Sequence, residues 1–298
     1  MKYPTDMHRH LGGSIPIKTI SRLTGFSETE VYKRHTITTP ISYKLFFKKF
    51  DILNSIKWNS DILYNTILDI TADAKTDSAR KILMSISMEK YFNNSMDISD
   101  ILSVLRSAKQ SAYTEIDYLL SIKYDTDLEL MLKNLNHENN VNQLLDAFRG
   151  IDLVGDEHYL RFCDFSKFIP VWLESNKIVR AHVGEYGEEE NIRFALDIIK
   201  ANRIAHGICI RSEDLIDKAL SKDIPFDICI SSNYLTYNIK SIVDHPLKHM
   251  YHKNLRLTIG TDDPTVFNTT MSTELRYCKI ILNKEYEAFY NKVCDEDI

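Results

Sequence analysis

The 298-residue chain lacks several features that would place it in a specialised class of protein. It has no apolar run of about 18 residues and no apolar signal region at its start, so we expect neither a membrane span nor a secretory leader. It also has no basic stripe and no acidic block, which argues against a nucleic-acid groove. The net charge of -5 therefore indicates only solubility.

The five cysteines form no Cys-x-x-Cys pair, are widely spaced and are odd in number. This pattern is typical of reduced core thiols and argues against a disulfide framework or a thiolate zinc site. We therefore expect a cytoplasmic protein without membrane or nucleic-acid partners, while its oligomeric state stays open. The cysteines are Cys163, Cys209, Cys229, Cys278 and Cys294.

Short β-rich runs alternate along the chain with amphipathic stretches of helical period, such as Asn191–Lys200 and Ser212–Leu220. Eight strands alternating with helices predict an α/β fold, a (β/α)8 TIM barrel, and the length suits one. The third run is also compatible with a helix. The predicted strands are Lys2–His8, Lys81–Met88, Glu115–Lys123, Ala147–Val154, Lys177–Val183, Arg203–Ile208, Pro225–Ile230 and Arg256–Ile259.

A long, mostly helical insert is predicted after the first strand, from roughly Ile17 to Asp77. It contains Phe46 and Phe50, which stand four residues apart and therefore share a helix face. These rings either pack the insert onto the core or form a hydrophobic lid over the barrel mouth. No linker rich in Gly, Pro or Ser divides the chain, so we expect a single domain over residues 1–298.

The first strand carries a His-x-His pair, His8 and His10, followed by two glycines. Residues two apart on a strand point to the same side, so the two imidazoles face one point. Imidazole is the commonest protein ligand for zinc and related ions. A lone His-x-His is a weak signal, but this pair stands where barrel active sites lie.

Two other strand ends carry histidines. His182 closes the fifth strand and is followed across Gly184 by Glu185, while His206 closes the sixth strand before Gly207. Glu185 either belongs to a tight turn at the pocket or to the solvated start of the next helix, where further glutamates follow.

Asp262 and Asp263 follow the last strand and precede a proline. Taken alone, Asp-Asp-Pro is more typical of a turn. Four strand ends nevertheless deliver an imidazole or a carboxylate to the same face of the predicted barrel. Three neutral imidazoles and one carboxylate suit a mononuclear zinc site, and zinc lowers the pKa of a bound water toward neutrality. The pattern therefore indicates metal-assisted hydrolysis.

With these motifs the chain resembles the adenosine/adenine deaminase family of the metal-dependent amidohydrolase superfamily. The resemblance extends over essentially the whole chain and keeps the motif order of the family. The matching motifs are His8–Ser14, Asp152–Glu157, His182–Glu185, His206-Gly207, Ser231–Thr236 and Thr261–Pro264.

The resemblance implies a zinc-dependent barrel enzyme that deaminates adenosine, or a closely related 6-aminopurine nucleoside, to the 6-oxopurine and ammonia. It implies one Zn2+ per chain, and the partner is a small purine nucleoside or base. The residues that match the zinc ligands of the family are His8, His10, His182 and Asp262.

The resemblance also implies roles in proton transfer and substrate binding. Glu185 matches the acid that protonates purine N1, and His206 matches the residue that deprotonates the attacking water. Asp263 matches the residue that hydrogen-bonds N7, and Gly155 the one whose backbone meets N3. The predicted substrate-binding residues are Asp263, Gly155, His10, Phe46 and Phe50.

One departure from the family bears on the substrate. Many adenosine deaminases carry an acidic residue where this chain has Gly12, and that residue contacts the ribose end. A 5′-modified adenosine, an adenine nucleotide or adenine itself is therefore an open alternative. Two other readings are an amidohydrolase acting on an ester, amide or phosphoester, and a non-catalytic nucleoside-binding relative. The last is disfavoured because every expected ligand and proton-transfer residue is present.

Overall fold

The structure is a computed structural model that describes residues 3–77, 79–125, 138–162, 168–236 and 238–297. Its strands form one eight-stranded sheet whose strand order follows the chain. This confirms the predicted α/β class and the (β/α)8 TIM barrel. The strands are β1 (Thr5–His10), β2 (Lys81–Ile86), β3 (Glu115–Lys123), β4 (Gly150–Val154), β5 (Ile178–Val183), β6 (Arg203–His206), β7 (Pro225–Ile228) and β8 (Arg256–Ile259).

All eight predicted strands are present, with small changes at their ends. β1 starts at Thr5 and continues to His10, so both histidines of the His-x-His pair lie on it. β3 occupies the run that is also compatible with a helix. Its interior residues are buried on both faces, as in the covered strands of parallel sheets, and it pairs in parallel with β4. Tertiary pairing therefore decides the conformation of this run.

The chain divides into two compact units, each built from separate stretches of sequence. Unit 1 comprises Met1–Asp117, Cys229–His245 and Ile259–Ile298, and unit 2 comprises Tyr118–Ile228 and Pro246–Thr258. Helices are numbered along the chain. Those of unit 1 are α1 (Leu11–Ser14), α2 (Ile17–Thr24), α3 (Glu28–His35), α4 (Tyr43–Phe46), α5 (Ser60–Thr76), α6 (Glu89–Phe92), α7 (Ile98–Ser111), α12 (Ile230–Leu235), α14 (Met271–Leu282) and α15 (Tyr286–Asp295).

Unit 2 contains the helices whose sequence period is clearest. The predicted helix at Ser212–Leu220 is present one residue later, and the one at Asn191–Lys200 is divided into an α-helix and a π-helical turn, Ala195–Ile199. The helices of unit 2 are α8 (Glu138–Ala147), α9 (Ile169–Glu174), α10 (Glu189–Phe194), α11 (Glu213–Ser221) and α13 (Leu247–His252).

The two units also contain 3-10 helices. These are Phe47–Ser55, Ile242–Asp244 and Asn283–Glu285 in unit 1, and Glu157–Phe162 in unit 2.

The insert between β1 and β2 is mostly helical, as predicted, and runs from α2 through α5. Local capping explains its division into short helices. The Ser27 side chain accepts a hydrogen bond from the Glu30 amide at the start of α3, and that of Asn59 accepts one from Ile62 at the start of α5. Gly25 ends α2 in the left-handed conformation. A lid function for this insert stays a prediction.

Buried ion pairs join four consecutive strands of unit 2, β4 to β7. Arg180 on β5 is fully buried and lies 2.6 Å from Asp152 on β4 and 3.1 Å from Asp227 on β7. Arg203 on β6 binds Asp227 as well, at 2.6 Å. Buried charges persist only when paired and hydrogen-bonded, so this network fixes the positions of four strands.

The cysteines agree with the predicted pattern where the structure describes them. Cys209, Cys229, Cys278 and Cys294 are reduced thiols, and the last three are buried. Burial raises the pKa of the Cys209 thiol to about 12, which leaves it protonated and unreactive. Cys163 lies outside the described residues. Within the described ranges, every helix is too short or too polar to cross a membrane.

Candidate metal and catalytic site

Three potential metal donors converge in unit 1. His8 Nε2 and His10 Nε2 are 3.0 Å apart, and Asp262 Oδ1 lies 3.5 Å from the first and 3.3 Å from the second. A tetrahedral zinc ion with bonds of about 2.0–2.2 Å separates its ligand atoms by about 3.3–3.6 Å. Both distances to Asp262 match this spacing, whereas the two imidazole nitrogens are closer together than it. The donor types suit a divalent metal ion.

The backbone around β1 explains why these donors meet. The Asp262 amide donates to the His8 carbonyl at 2.7 Å, and the His10 amide donates to the Asp262 carbonyl at 2.9 Å. Asp262 has a φ of 60°, which is uncommon for a residue other than glycine and costs of order 1–3 kcal/mol. The two hydrogen bonds hold it there. A Cβ on Gly260 would stand 2.4 Å from the His8 Cβ, so only glycine permits this approach.

Asp263 has surroundings different from those of Asp262. Its side chain lies against Gly13 in α1, where an added Cβ would be 1.8 Å from Asp263 Oδ1. Asp263 is buried, with 3% of its surface exposed. The adjacent carboxylates therefore point to different partners, with Asp262 at the two histidines and Asp263 at the first turn after β1.

In unit 2, His182 is oriented by groups on β4. Its Nδ1 lies 3.1 Å from the Leu153 carbonyl and 3.2 Å from Asp152 Oδ1. Burial alone would raise the pKa of Asp152, but Arg180 and His182 outweigh it and hold that pKa well below its usual range. A carboxylate or carbonyl on one ring nitrogen is the usual arrangement behind a metal-binding histidine. Nε2 is then the nitrogen that suits a metal.

Glu185 and His206 form a second group in unit 2. Glu185 Oε2 is 3.4 Å from His206 Nε2, and both side chains are buried. The rings of His206 and His182 lie 5.4 Å apart. His206 has a φ of 62°, a strained value that recurs at functional sites. A carboxyl group beside an imidazole can serve as an acid–base pair.

The loop that carries Glu185 is organised by Glu157, whose role the sequence analysis missed. Glu157 is buried, and its two carboxylate oxygens accept five hydrogen bonds of 2.6–3.1 Å. Four donors are the consecutive amides of residues 184–187, and the fifth is the side chain of Asn191. The motif Asp152–Glu157 contains this residue, but four consecutive amides facing one carboxylate leave no signal in a sequence pattern.

The remaining predicted substrate residues occupy two different settings. Gly155 follows β4 with a φ of 101°, a conformation that strongly favours glycine. Phe46 is 7% exposed and stacks on Phe267 with ring centroids 5.3 Å apart, whereas Phe50 is half-buried and meets Phe46 edge-on. Phe46 therefore packs in the core, which agrees with the interpretation that these rings pack the insert onto the core. Phe50 is half-buried and lies at the edge of this cluster of aromatic rings.

The structure therefore brings the predicted residues together in two groups. Unit 1 collects His8, His10 and Asp262 with Asp263 beside them. Unit 2 collects His182, Glu185 and His206 at the ends of β5 and β6.

Known proteins resemble this chain in both sequence and fold. The family model described as adenosine deaminase matches residues 4–288. A curated adenosine deaminase from Vibrio vulnificus is 26% identical over 286 residues, covering 91% of this chain and 86% of the relative. The solved structure of an adenine deaminase from Arthrobacter aurescens has a TM-score of 0.79 at 17% identity and covers 98% of both chains. That of the N6-methyl-AMP deaminase from Arabidopsis thaliana has a TM-score of 0.77 at 22% identity, covering 99% of this chain and 93% of the other.

Proposed function

This chain belongs to the adenosine deaminase family of metal-dependent amidohydrolases, and we propose that it hydrolyses the C6–N bond of a 6-aminopurine nucleoside or nucleotide. The products are the 6-oxopurine and ammonia. The observation that carries the proposal is the donor set of His8, His10 and Asp262, whose donor types suit one divalent ion. The relatives that act on adenosine, adenine and N6-methyl-AMP support a 6-aminopurine substrate.

We infer that His8, His10, His182 and Asp262 hold one zinc ion per chain. Three imidazoles and a carboxylate are a donor set that zinc favours. The contacts of His182 Nδ1 support this assignment, because they direct metal binding to Nε2. When bound, the ion lowers the pKa of a water molecule toward neutrality and so supplies the nucleophile.

The residues of unit 2 then move the protons. His206 orients the attacking water and accepts its proton, while Glu185 donates a proton to purine N1 as the C6–O bond forms. His206 then gives the proton that it took from water to the amino group, the C6–N bond breaks and ammonia leaves. The proton of the new C6 hydroxyl returns to Glu185, which leaves the 6-oxopurine. The short distance between Glu185 and His206 supports a shared role at one reacting centre.

The remaining residues position the purine. The Gly155 amide donates to N3, and the carboxyl group of Asp263, in its protonated form, donates to N7. We propose that the insert between β1 and β2 forms a lid with Phe50 at its edge, and that the protein acts in the cytoplasm on small purines. Burial of Asp263 beside Gly13 supports its separation from the metal-binding carboxylate.

A substrate panel tests the proposed function. Zinc-loaded protein is incubated with adenosine, deoxyadenosine, 5′-deoxyadenosine, AMP and adenine, and both the ultraviolet spectrum and ammonia release are followed. We expect at least one of them to be converted to its 6-oxo product with stoichiometric ammonia. Failure on all five, with the metal bound and the protein folded, would overturn the proposal.

A further inference from the structure

Three residues next to the metal donors of unit 1 form a buried hydrogen-bonded group. Asp6 lies two residues before His8 on β1, Arg9 follows His8, and Thr261 directly precedes Asp262. Each of the three is almost completely buried, with at most 2% of its surface exposed. None of them belongs to the predicted donor set, and we refer to the three together as the Asp6 cluster.

The Asp6 carboxylate is the centre of this cluster. Its Oδ2 accepts a hydrogen bond from the Thr261 hydroxyl at 2.7 Å and one from Arg9 Nε at 2.8 Å, and its Oδ1 accepts one from the Thr261 amide at 3.0 Å. Arg9 Nε also donates to the Thr261 hydroxyl oxygen at 3.2 Å. Each residue of the cluster therefore binds the other two. A buried polar network whose members are paired in this way makes the backbone segments that carry it more rigid.

The same backbone segments carry the metal donors. The strand register shifts between Asp6 and Arg9, and Arg9 forms a parallel bridge with Asp262. Asp262 has the strained φ of 60°, which persists only where the surrounding structure holds it in place. Thr261 is its neighbour on the N-terminal side and is held by two hydrogen bonds to Asp6. A shift of Thr261 would therefore move Asp262 relative to the histidines of β1.

We propose that Asp6 is a positioning residue for the metal site, and that it works through Arg9 and Thr261 to set the distance between Asp262 and the histidines of β1. This inference rests on the proposed function, because that function assigns the metal to these donors. Within the described residues, the Asp6 carboxylate hydrogen-bonds only to Arg9 and Thr261, so its effect on the donors passes through the backbone. Groups that hold metal ligands in this way typically contribute about 10- to 100-fold to metal affinity.

The test is the zinc affinity of the full chain, measured by competition with a chromophoric chelator. Thr261→Val keeps the shape of the side chain and removes the hydroxyl that binds Asp6. We expect it to weaken zinc binding about 10- to 100-fold. Thr261→Ser retains the hydroxyl and should bind zinc with an affinity close to that of the wild type.

Thr269→Val is the matched control. The buried Thr269 hydroxyl donates to a buried carboxylate, that of Glu274, at 2.7 Å and accepts from the Ser231 hydroxyl at 2.9 Å. It therefore makes the same number and kind of bonds as the Thr261 hydroxyl, away from the donor set. Urea unfolding of zinc-free protein should show a loss of stability in both valine variants, whereas only Thr261→Val should lose zinc affinity. Wild-type zinc affinity in Thr261→Val, or an equal loss in both valine variants, would overturn the proposal.

A double-mutant cycle tests whether the hydroxyl acts through Asp6. Asp6→Asn leaves one acceptor oxygen for three donors and should also weaken zinc binding about 10- to 100-fold. Because the two groups share one contact, Thr261→Val should weaken binding less in the Asp6→Asn background than in the wild type. Fully additive losses would show that the hydroxyl acts independently of Asp6 and would contradict the assigned role.

Zinc binding requires no turnover, so the two proposals can fail separately. If the wild type binds zinc but deaminates no purine, the proposed function fails and the Thr261 variants still decide the positioning role. If a purine is deaminated while Thr261→Val binds zinc as tightly as the wild type, only the positioning role fails.

Discussion

At the scale of single residues, the candidate site depends on buried groups that contact its predicted metal-binding and proton-transfer residues or the loops that carry them. Asp152 orients His182 from the neighbouring strand, and Glu157 binds the loop that carries Glu185. Such partners fix the geometry of the groups that bind metal or move protons, and their loss is felt in the chemistry. Glu157 is the stronger case, because all five of its hydrogen bonds are accepted from donors on that loop and the helix that follows.

We predict that Glu157→Gln lowers kcat about 10- to 100-fold with a smaller change in KM. Glutamine has only one acceptor oxygen, and its amide NH2 group would face N–H donors. At least two buried donors therefore lose their acceptor, and each loss costs about 1–3 kcal/mol of stability. The loop then holds Glu185 less firmly at the proposed reacting centre. The kinetics are measured at a temperature where the variant is fully folded, as shown by its circular dichroism.

Glu190→Gln is the control for this substitution, because Glu190 is an exposed glutamate on α10 and should leave both constants unaltered. If Glu157→Gln raises only KM, or changes neither constant, the loop does not depend on this carboxylate.

The site residues predicted from the sequence lie in short local motifs, whereas the residue that was not predicted does not. His8, His10 and His182 lie at strand ends, where a spacing of two or a following glycine is visible in the sequence. The missed residue, Glu157, lies 27 positions before the Gly184 amide that it binds, and only the packing after β4 and β5 brings the two together. A sequence pattern does not show which residues from distant parts of the chain come into contact.

At the scale of elements, the start of α12 is satisfied by a side chain from another helix, Glu274 on α14. Glu274 on α14 is fully buried and accepts from the amides of Ile230 and Ser231 at the start of α12, at 2.9 and 3.2 Å. Its other oxygen accepts from the Thr269 hydroxyl at 2.7 Å. Burial raises the pKa of Glu274 to about 7, above its ordinary value of 4.5.

This shift predicts that stability falls as the pH rises. Between pH 4.5 and about 7 the unfolded chain loses the Glu274 proton while the folded chain keeps it, so folding binds a proton there. The contribution to the free energy of unfolding is full below pH 4.5 and declines through pH 7, by about 3 kcal/mol at most. Urea unfolding from pH 5 to 8 should show that Glu274→Gln removes this decline.

The control is Glu287→Gln on α15, an exposed glutamate whose substitution should leave the pH dependence of unfolding as in the wild type. Parallel curves for wild type and Glu274→Gln would show that Glu274 has an ordinary pKa. Cys278, one turn further along α14, stays protonated throughout this range because burial raises its pKa well above the ordinary value.

The elements themselves were largely predictable. Alternating short apolar runs and amphipathic stretches gave all eight strands, since covered parallel strands have a distinct apolar signature. What the pattern could not supply is the local geometry at strand ends. The irregular register between Asp6 and Arg9 on β1, and the left-handed residues His206 and Asp262, result from tertiary hydrogen bonds.

At the scale of the whole molecule, the sheet order fixes the fold and the family model covers nearly the entire chain. A single domain over residues 1–298 stays a prediction. Each compact unit takes its residues from separate stretches of sequence, so no cut of the chain at one point would release either unit intact.

We propose that one metal ion, held by the donor set that includes His8, His10 and Asp262, supports hydrolytic deamination of a 6-aminopurine. The decisive measurement is a zinc titration of chelator-treated protein, with bound zinc and ammonia release measured on the same samples. We expect activity on the best substrate of the panel to be absent in stripped protein, to rise linearly and to level off at one zinc per chain. Full activity in stripped protein, or a rise that continues to two zinc ions per chain, would contradict it.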